Sequence, residues 1–356
     1  MLEIRTYDGT IDDLVDFVNQ VWSQAYANKM TFPYWNRAFF EWQFRSSVQA
    51  DRRNLIAAYD GTQLAGVLLG TSYPFRSTNG LRGNSHCQGS QWSWLSIPDQ
   101  FHGRGIAKML DEERITRQRS NGSKLIVSFR YIGSRHSRAE RPHRDSRDNK
   151  FNRKIGFWAR VIDPSRFARW HWQALDGWLS QLAAPLMRIP AESSSDPQVR
   201  SFVESDLSQC VELCTAAHLP LALTIAWDHD SLRHQLCGSE VVQTLILEEQ
   251  GAVTGFINFH LLPFHARTVE PVAIIDLIVI NRASPAGRLK LLNSALSRMQ
   301  NQGAVLALKL RSGDLPAWPL WRTHFIPKPA DSLLVLQGIE QPIDVPKSAA
   351  IHVLWR

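Results

Sequence analysis

Gln91–Arg119, QWSWLSIPDQFHGRGIAKMLDEERITRQR, is the stretch on which the fold turns. Gln91–Ile97 is a short aromatic and apolar run, Pro98 and Asp99 break it, and Gly103-Arg104-Gly105 opens a segment with Ile106, Met109 and Leu110 at helical spacing. The pattern predicts strand, glycine turn, helix. Glycines let a ligand approach the backbone, and the first amides of a helix have no internal partner, so the junction suits an anion. Asp111, Glu112 and Glu113 precede Arg114, Arg117 and Arg119. The helix dipole favours that order by about 0.3–1 kcal/mol per charge. The same glycines also suit a helix start that binds nothing, so the wider chain has to decide.

His102-Gly103-Arg104-Gly105-Ile106-Ala107 resembles the acyl-CoA-binding signature of the GNAT superfamily of N-acyltransferases, Arg/Gln-x-x-Gly-x-Gly/Ala, when aligned on Gly105 and Leu110. His102 stands at the usual Arg or Gln. A register starting at Gln100 fits the pattern literally but misplaces the helix leucine. The resemblance implies that the amides of Gly103, Arg104, Gly105, Ile106 and Ala107 bind the pyrophosphate of acetyl-CoA or another acyl-CoA, with His102 facing the cofactor. It also implies that backbone amides of Leu95, Ser96 and Ile97 polarise the thioester carbonyl where the strand bulges.

The 356 residues are enough for two domains with sizeable cores, and 44% hydrophobic content fits a folded protein. A formal charge of +7 allows an acidic partner without choosing among cofactor phosphate, nucleic acid and anionic membrane. MLEIRTYDGTIDD lacks the basic and apolar segments of a signal peptide, and no window nears the ~18 apolar residues of a transmembrane span. The expectation is a cytoplasmic protein. Cys87, Cys210, Cys214 and Cys237 have neither zinc-like nor CxxC spacing, so they read as buried free thiols and no metal site is expected.

In order, Leu2–Arg5 reads as a strand and Ile11–Ala25 as a helix with Leu14, Phe17, Val18 and Val21 on one face. Tyr34–Phe44 is an aromatic helix that either packs in the core or borders an acceptor pocket. Asp60-Gly61 joins Asn54–Tyr59 to Leu64–Gly70 as a hairpin. Ser77–Gly89 reads as a polar loop, and Leu125–Phe129 as a buried strand. Arg130–Lys154 holds seven arginines and two lysines against Glu140, Asp145 and Asp148, a net charge of +6. It is either a solvated insertion or a grip on CoA phosphate, an acidic substrate or nucleic acid. Phe151–Phe157 resembles the family's terminal helix and Gly-Phe turn, with Asn152 where many relatives carry the tyrosine that protonates the departing thiolate. Trp158–Phe167 completes the first unit. Arg169–Ile189 reads as an amphipathic helix, against the other domain or on a membrane surface, and Ala191–Pro197 as a turn-rich linker.

From Val199 the order repeats: strand, helix Leu207–Ala217, a hairpin across Gln250-Gly251, strand Val272–Ile280, helix Pro285–Gln300, strand Ala304–Leu310 and the turn His324–Pro327. Gly255 stands where Gly66 stood. The second turn keeps one glycine, Pro285 removes an amide and Ser284 reads as an N-cap, so this copy is not expected to bind CoA in the usual way. The expected architecture is α/β (α+β): two tandem GNAT-like domains, each a mixed central sheet flanked by helices. Residues 1–168 form the acyl-CoA-binding domain, 169–197 the linker helix and linker, and 198–356 a degenerate GNAT-like domain.

The resemblance implies acyl transfer from acyl-CoA to a primary amine, a small molecule or a peptide, by direct attack in a ternary complex. The signature strand offers no carboxylate, only Gln91 and Ser93, so a water relay to His86, Asp99, Tyr131 or Glu140 is the candidate route for acid–base catalysis, and with Asn152 in place of the tyrosine either another group protonates the thiolate or it leaves without help. Two other readings stay open: an acyl-CoA-sensing protein without turnover, and a transferase that takes its acyl group from aminoacyl-tRNA.

Overall fold

The computed structural model describes residues 1–44, 52–78, 85–132, 150–171, 189, 198–343 and 345–356. The first half runs β1 (Leu2–Thr6), α1 (Ile11–Tyr26), β2 (Phe32–Pro33), α2 (Arg37–Phe44), β3 (Leu55–Asp60), β4 (Gln63–Ser77), β5 (Ser85–Ser96), α3 (Ile106–Ser120), β6 (Leu125–Tyr131), β7 (Lys150–Ile155), β8 (Phe157–Val161) and α4 (Pro164–Trp170). The second runs β9 (Val199–Ser201), α5 (Leu207–His218), β10 (Leu223–Ile225), α6 (His229–Cys237), β11 (Val242–Glu249), β12 (Ala252–His265), β13 (Val269–Val279), α7 (Pro285–Asn301), β14 (Leu306–Leu310), α8 (Ala317–Arg322), β15 (Ile326–Pro327), β16 (Ser332–Gly338) and β17 (Ile351–His352).

Local chemistry accounts for the main elements. Thr10 caps α1 by accepting from the Asp13 amide, and Asp12 and Asp13 sit in its first turn, where the dipole favours carboxylates. Its buried residues Ile11, Leu14, Val15, Val18 and Val21 recur at helical spacing. The run LIAAY of β3 is buried residue by residue, as an inner strand covered on both faces requires.

Both halves build a mixed sheet. The first is ordered β1-β3-β4-β5-β6-β16-β7, with β10 and β17 added at the end of β4; the second is ordered β9-β11-β12-β13-β14-β8-β15, with β2 added to β12. The two orders are the same once the halves are aligned, and one slot is filled crosswise. β16 of the second half lies between β6 and β7, while β8 of the first half lies between β14 and β15. Trp158–Phe167 therefore does not complete the first unit: Phe157–Val161 is a strand of the second sheet, and α4 follows it. One hydrophobic cluster joins Trp35, Phe39, Phe40 and Trp94 to Leu262, Val272 and Leu306, so the core crosses the seam.

Three further expectations are corrected. Ser77–Gly89 is not all loop, because β5 begins at Ser85 and pairs residue by residue with β4 as far as Ser77. Lys150–Ile155 is a strand paired along β16, not a terminal helix, and Asn152 lies opposite Val335. Of the free cysteines, Cys210 and Cys214 are buried, Cys87 is half-buried and Cys237 is exposed. Burial pushes the Cys210 thiol up to about 12. The body of the arginine-rich segment, with Glu140, and most of Arg169–Ile189 and the linker lie outside the described residues. No described helix is long and apolar enough to cross a membrane.

Candidate active site

The glycine turn lies where the strand-to-helix reading placed it. Gly103 and Gly105 have φ of +79° and +77°, values that residues with a Cβ adopt only under strain, and a Cβ on either would meet no atom within 4 Å. Residues 102–105 are exposed. Gly105 is the N-cap of α3 and has no side chain to satisfy the helix amides. Among the described residues, the amides of Gly103, Arg104, Gly105, Ile106 and Ala107 donate to no backbone carbonyl. Open space, free amides and the positive end of a helix dipole together fit a phosphate-sized anion.

The turn's side chains face elsewhere. His102 Nε2 lies 2.9 Å from the Ile97 carbonyl oxygen and Nδ1 lies 3.3 Å from Asp99 Oδ1, so the imidazole braces the turn. Arg104 donates to Asp60 at 2.6 Å and covers the Phe101 ring. Its guanidinium is thus engaged within the chain.

The strand before the turn bulges. Val67 pairs with Ser96 and Leu69 with Ser93, so β5 carries one extra residue. Trp94 has φ +56°, an outlier for a bulky side chain and a cost of about 1–3 kcal/mol. Four aromatic neighbours hold it: Trp35, Phe39, Phe40 and Phe44 have ring centroids 5.4, 6.4, 5.6 and 5.4 Å away. Each such contact contributes about 0.5–1.5 kcal/mol, enough together to offset the strain. On the other side, β5 and β6 pair only as far as Trp92 and Ser128. Beyond that point the strands part, and Trp94 and Leu95 have no partner in either neighbour. Ser96 is buried and accepts from Trp22 Nε1 at 3.0 Å.

Beside the bulge, the seam carries a buried polar network. Ser93 Oγ donates to the Arg356 main-chain oxygen at 2.6 Å. The Arg356 guanidinium donates to both carboxylate oxygens of Asp276, at 2.8 and 2.9 Å, and lies over the Trp42 ring. Gln235 Nε2 also donates to Asp276, and His260 Nδ1 lies 3.2 Å from it. Burial pushes Asp276 upward, yet Arg356 and His260 outweigh it and hold the carboxyl well below the usual carboxylate range. Burial keeps His260 below its ordinary value.

Of the residues proposed from sequence for acid–base work, Tyr131 alone among the described ones falls level with the bulge. It stands three residues beyond Ser128, as Leu95 stands three beyond Trp92 in the parallel neighbour. Burial, reinforced by Asp331, raises its hydroxyl above the ordinary tyrosine value. His86 is exposed at the opposite end of β5, paired with Arg76. Asp99 is exposed in the turn beside His102. Asn152 lies two strands from β6, with β16 between. Sequence reasoning missed Asp276, Gln235, His260 and Arg356; the available signal was a lone carboxylate in the apolar run AIIDLIV.

The second half's turn is closed to anions. Ser284 accepts from the Gly287 amide, and its own amide and hydroxyl donate to Glu249 at 3.1 and 2.5 Å. A carboxylate of the chain itself sits at the helix start.

No protein-family model matches the chain, and no curated protein matches it. Solved structures do. N-myristoyltransferase of Saccharomyces cerevisiae with bound myristoyl-CoA is similar with a TM-score of 0.76 at 14% identity, covering 100% of this chain and 89% of that chain. A second structure of that enzyme with bound myristoyl-CoA gives 0.76 at 15% identity, covering 100% and 84%. A GCN5-related N-acetyltransferase from Kribbella flavida gives 0.52 at 12% identity, covering 96% and 72%. The fold of this chain is that of two GNAT-like units in tandem, as in N-myristoyltransferase.

Proposed function

We propose that the chain is an N-acyltransferase that moves an acyl group from acyl-CoA to a primary amine by direct attack in a ternary complex. The observation that carries this reading is the exposed turn at Gly103–Ala107, whose amides donate to no backbone carbonyl, following a bulged strand. Acyl-CoA presents a pyrophosphate and a thioester along one extended molecule. The turn would take the first, and the unpaired backbone at Trp94 and Leu95 the second.

The chemistry follows from that placement. The amine attacks as the neutral species, a carbon–nitrogen bond forms, and the thioester oxygen takes the negative charge. Amides of Leu95, Ser96 and Ile97 would hold that charge, the kind of contact whose loss costs about 2.7–4 kcal/mol. Collapse breaks the carbon–sulfur bond and releases the CoA thiolate. Tyr131, whose hydroxyl sits above the ordinary tyrosine value and which stands level with Leu95 across the parted strands, would donate the proton that Asn152 cannot. An amine with a pKa near 10.4 is only about 0.1% neutral at pH 7.4, so the site has to favour the free base by about 4 kcal/mol.

An acyl-CoA sensor would use the same turn, and turnover of a free amine separates the two readings. Calorimetry with acetyl-CoA and longer acyl-CoAs tests the site. One molecule should bind per chain, because Glu249 fills the second turn, and Gly105→Glu should abolish binding while leaving the chain folded. A folded wild type that binds no acyl-CoA would sink the proposal.

A further inference from the structure

Leu315–Ala330, LPAWPLWRTHFIPKPA, carries two tryptophans three residues apart. Residues at that spacing share one side of a helix, and α8 spans both. Its Pro319 and Leu320 are buried, with Leu320 in one hydrophobic cluster with Leu291, Leu292 and Leu296 of α7. Trp318 and Trp321 are left 38% and 51% exposed, whereas Trp35, Trp92 and Trp94 of the first half are all at 3% or less. The patch continues past the helix, where Trp321 meets the half-buried Trp158 ring edge-on at 5.2 Å. Cations border it. The Arg288 guanidinium lies 6.0 Å from the Trp318 ring centroid, and Arg322 and His324, both exposed, follow Trp321 in the chain. Neither α7 nor α8 contains an Asp or Glu. Glu249, at the start of α7, is bonded to Ser284 and Thr254.

We propose that this face of α7 and α8 docks on an anionic membrane surface, with the Trp318 and Trp321 indoles entering the headgroup layer. An indole has an apolar body and a polar N–H, which suits the boundary between headgroups and acyl chains. Arginines on helices without a carboxylate, in a chain of formal charge +7, attract anionic lipid. The same charge would oppose a second copy of this face across a twofold interface. The patch is also small for a protein partner. Two indoles at these exposures offer roughly 200 Å², against the ~800 Å² that each side of a stable protein interface buries. The attachment is peripheral and independent of the acyltransferase reading.

Flotation of the full chain with phosphatidylcholine vesicles, with and without phosphatidylglycerol, tests the assignment. The wild type should bind the mixed vesicles about tenfold more strongly than the neutral ones, and raised salt should narrow that gap. Trp318→Ser combined with Trp321→Ser should weaken binding to the mixed vesicles about tenfold or more, because the surface that the indoles bury is lost. Arg322→Glu reverses a charge at an exposed position and should weaken binding about threefold or more; it decides the matter alone if the double variant does not fold. A folded wild type that ignores the mixed vesicles, or binds both kinds equally, would overturn the inference. So would unchanged binding by either variant, which would leave only the pull of the net charge. Sedimentation velocity reads the remaining outcome: a wild-type dimer that the serine substitutions dissociate would give the face to a second copy and overturn the membrane assignment.

Discussion

Asp276→Asn removes one charge from the seam network and leaves its partner stranded. Arg356 and Asp276 have side-chain exposures of 0% and 1%, so neither can turn to water when the other is lost. The wild-type pair is held by bonds of 2.8 and 2.9 Å, with a further bond to the carboxylate from Gln235. The asparagine oxygen can still accept one bond, but the guanidinium keeps its charge in a buried site, which typically costs about 3–5 kcal/mol. That is about a fifth or more of the stability of an ordinary domain. Urea denaturation at pH 7 measures it directly. Adding Arg356→Met should recover more than 1 kcal/mol of the loss, because the stranded charge is gone and an apolar chain of similar length remains over Trp42. The pH dependence has a definite sign. Asp276 is depressed in the folded state, so its contribution is complete above the unfolded value near 3.9 and fades as the pH falls below it. The gap between wild type and Asp276→Asn should therefore close in acid. A loss under 1 kcal/mol at pH 7, or single losses that simply add in the double variant, would refute the reasoning.

His218 and His352 stack at 4.4 Å beside Asp314, Lys309 and Arg76, and burial holds both imidazoles below their ordinary value. Unfolding lets them take up protons, so stability should fall as the pH drops below about 6.5, by up to roughly 1.4 kcal/mol per pH unit for each histidine. His218→Phe should flatten that slope in denaturation curves at pH 7.5 and 5.5, and an unchanged slope would refute the assignment. Tyr131→Phe should lower kcat about 10²-fold or more and leave acyl-CoA affinity within twofold, as loss of a general acid does; single-turnover kinetics and calorimetry read the two effects. The crossed strands predict that residues 1–168 and 198–356 made separately stay unfolded by circular dichroism, and that mixing or co-expression restores structure. An independently folded first fragment would contradict the topology.

Residue types at fixed spacing were legible where the local backbone decides the outcome. Gly103 and Gly105 announced positive φ, Asp60-Gly61 a hairpin, and Ser284 a cap. What failed was information that is not local. FWARV at Phe157–Val161 specifies a strand, but nothing in it says which sheet receives it. KFNRKI read as helix by its position before Gly156. Yet Asn152 and Lys154 are exposed and alternate with half-buried Arg153 and buried Ile155, the period of a strand. At the start of β5, exposed His86 and Gln88 flank half-buried Cys87, an alternation hidden by polar composition. The seam network was not legible because its members, Gln235, Asp276 and Arg356, stand far apart in the chain and meet only when the halves close.

The duplication explains why they meet there. Gly66 precedes Val67, which lies opposite Ser96, and Gly255 precedes Phe256, which lies opposite Val279. Both glycines lie under the end of the next strand. A Cβ would come within 3.1 Å of Ile97 and Ile106 in one half and 2.9 Å of the Val279 carbonyl oxygen in the other. Each following strand then carries a bulge, one between Ser93 and Ser96 and the other at Asp276, where Asn258 pairs with Leu277 and Phe259 with Ile275. Ser93 and Asp276 each stand three residues before those opposite partners, so they are equivalent positions of the two copies. They hold the same residue from its two ends: Ser93 donates to the Arg356 main-chain oxygen, and Asp276 accepts from its guanidinium. One bulge lies beside the open glycine turn and strands that part. Its twin, behind a turn plugged by Glu249, carries a carboxylate instead. The second copy thus closes its own helix start with Glu249 and supplies in Asp276 the charge that holds Arg356 at the seam.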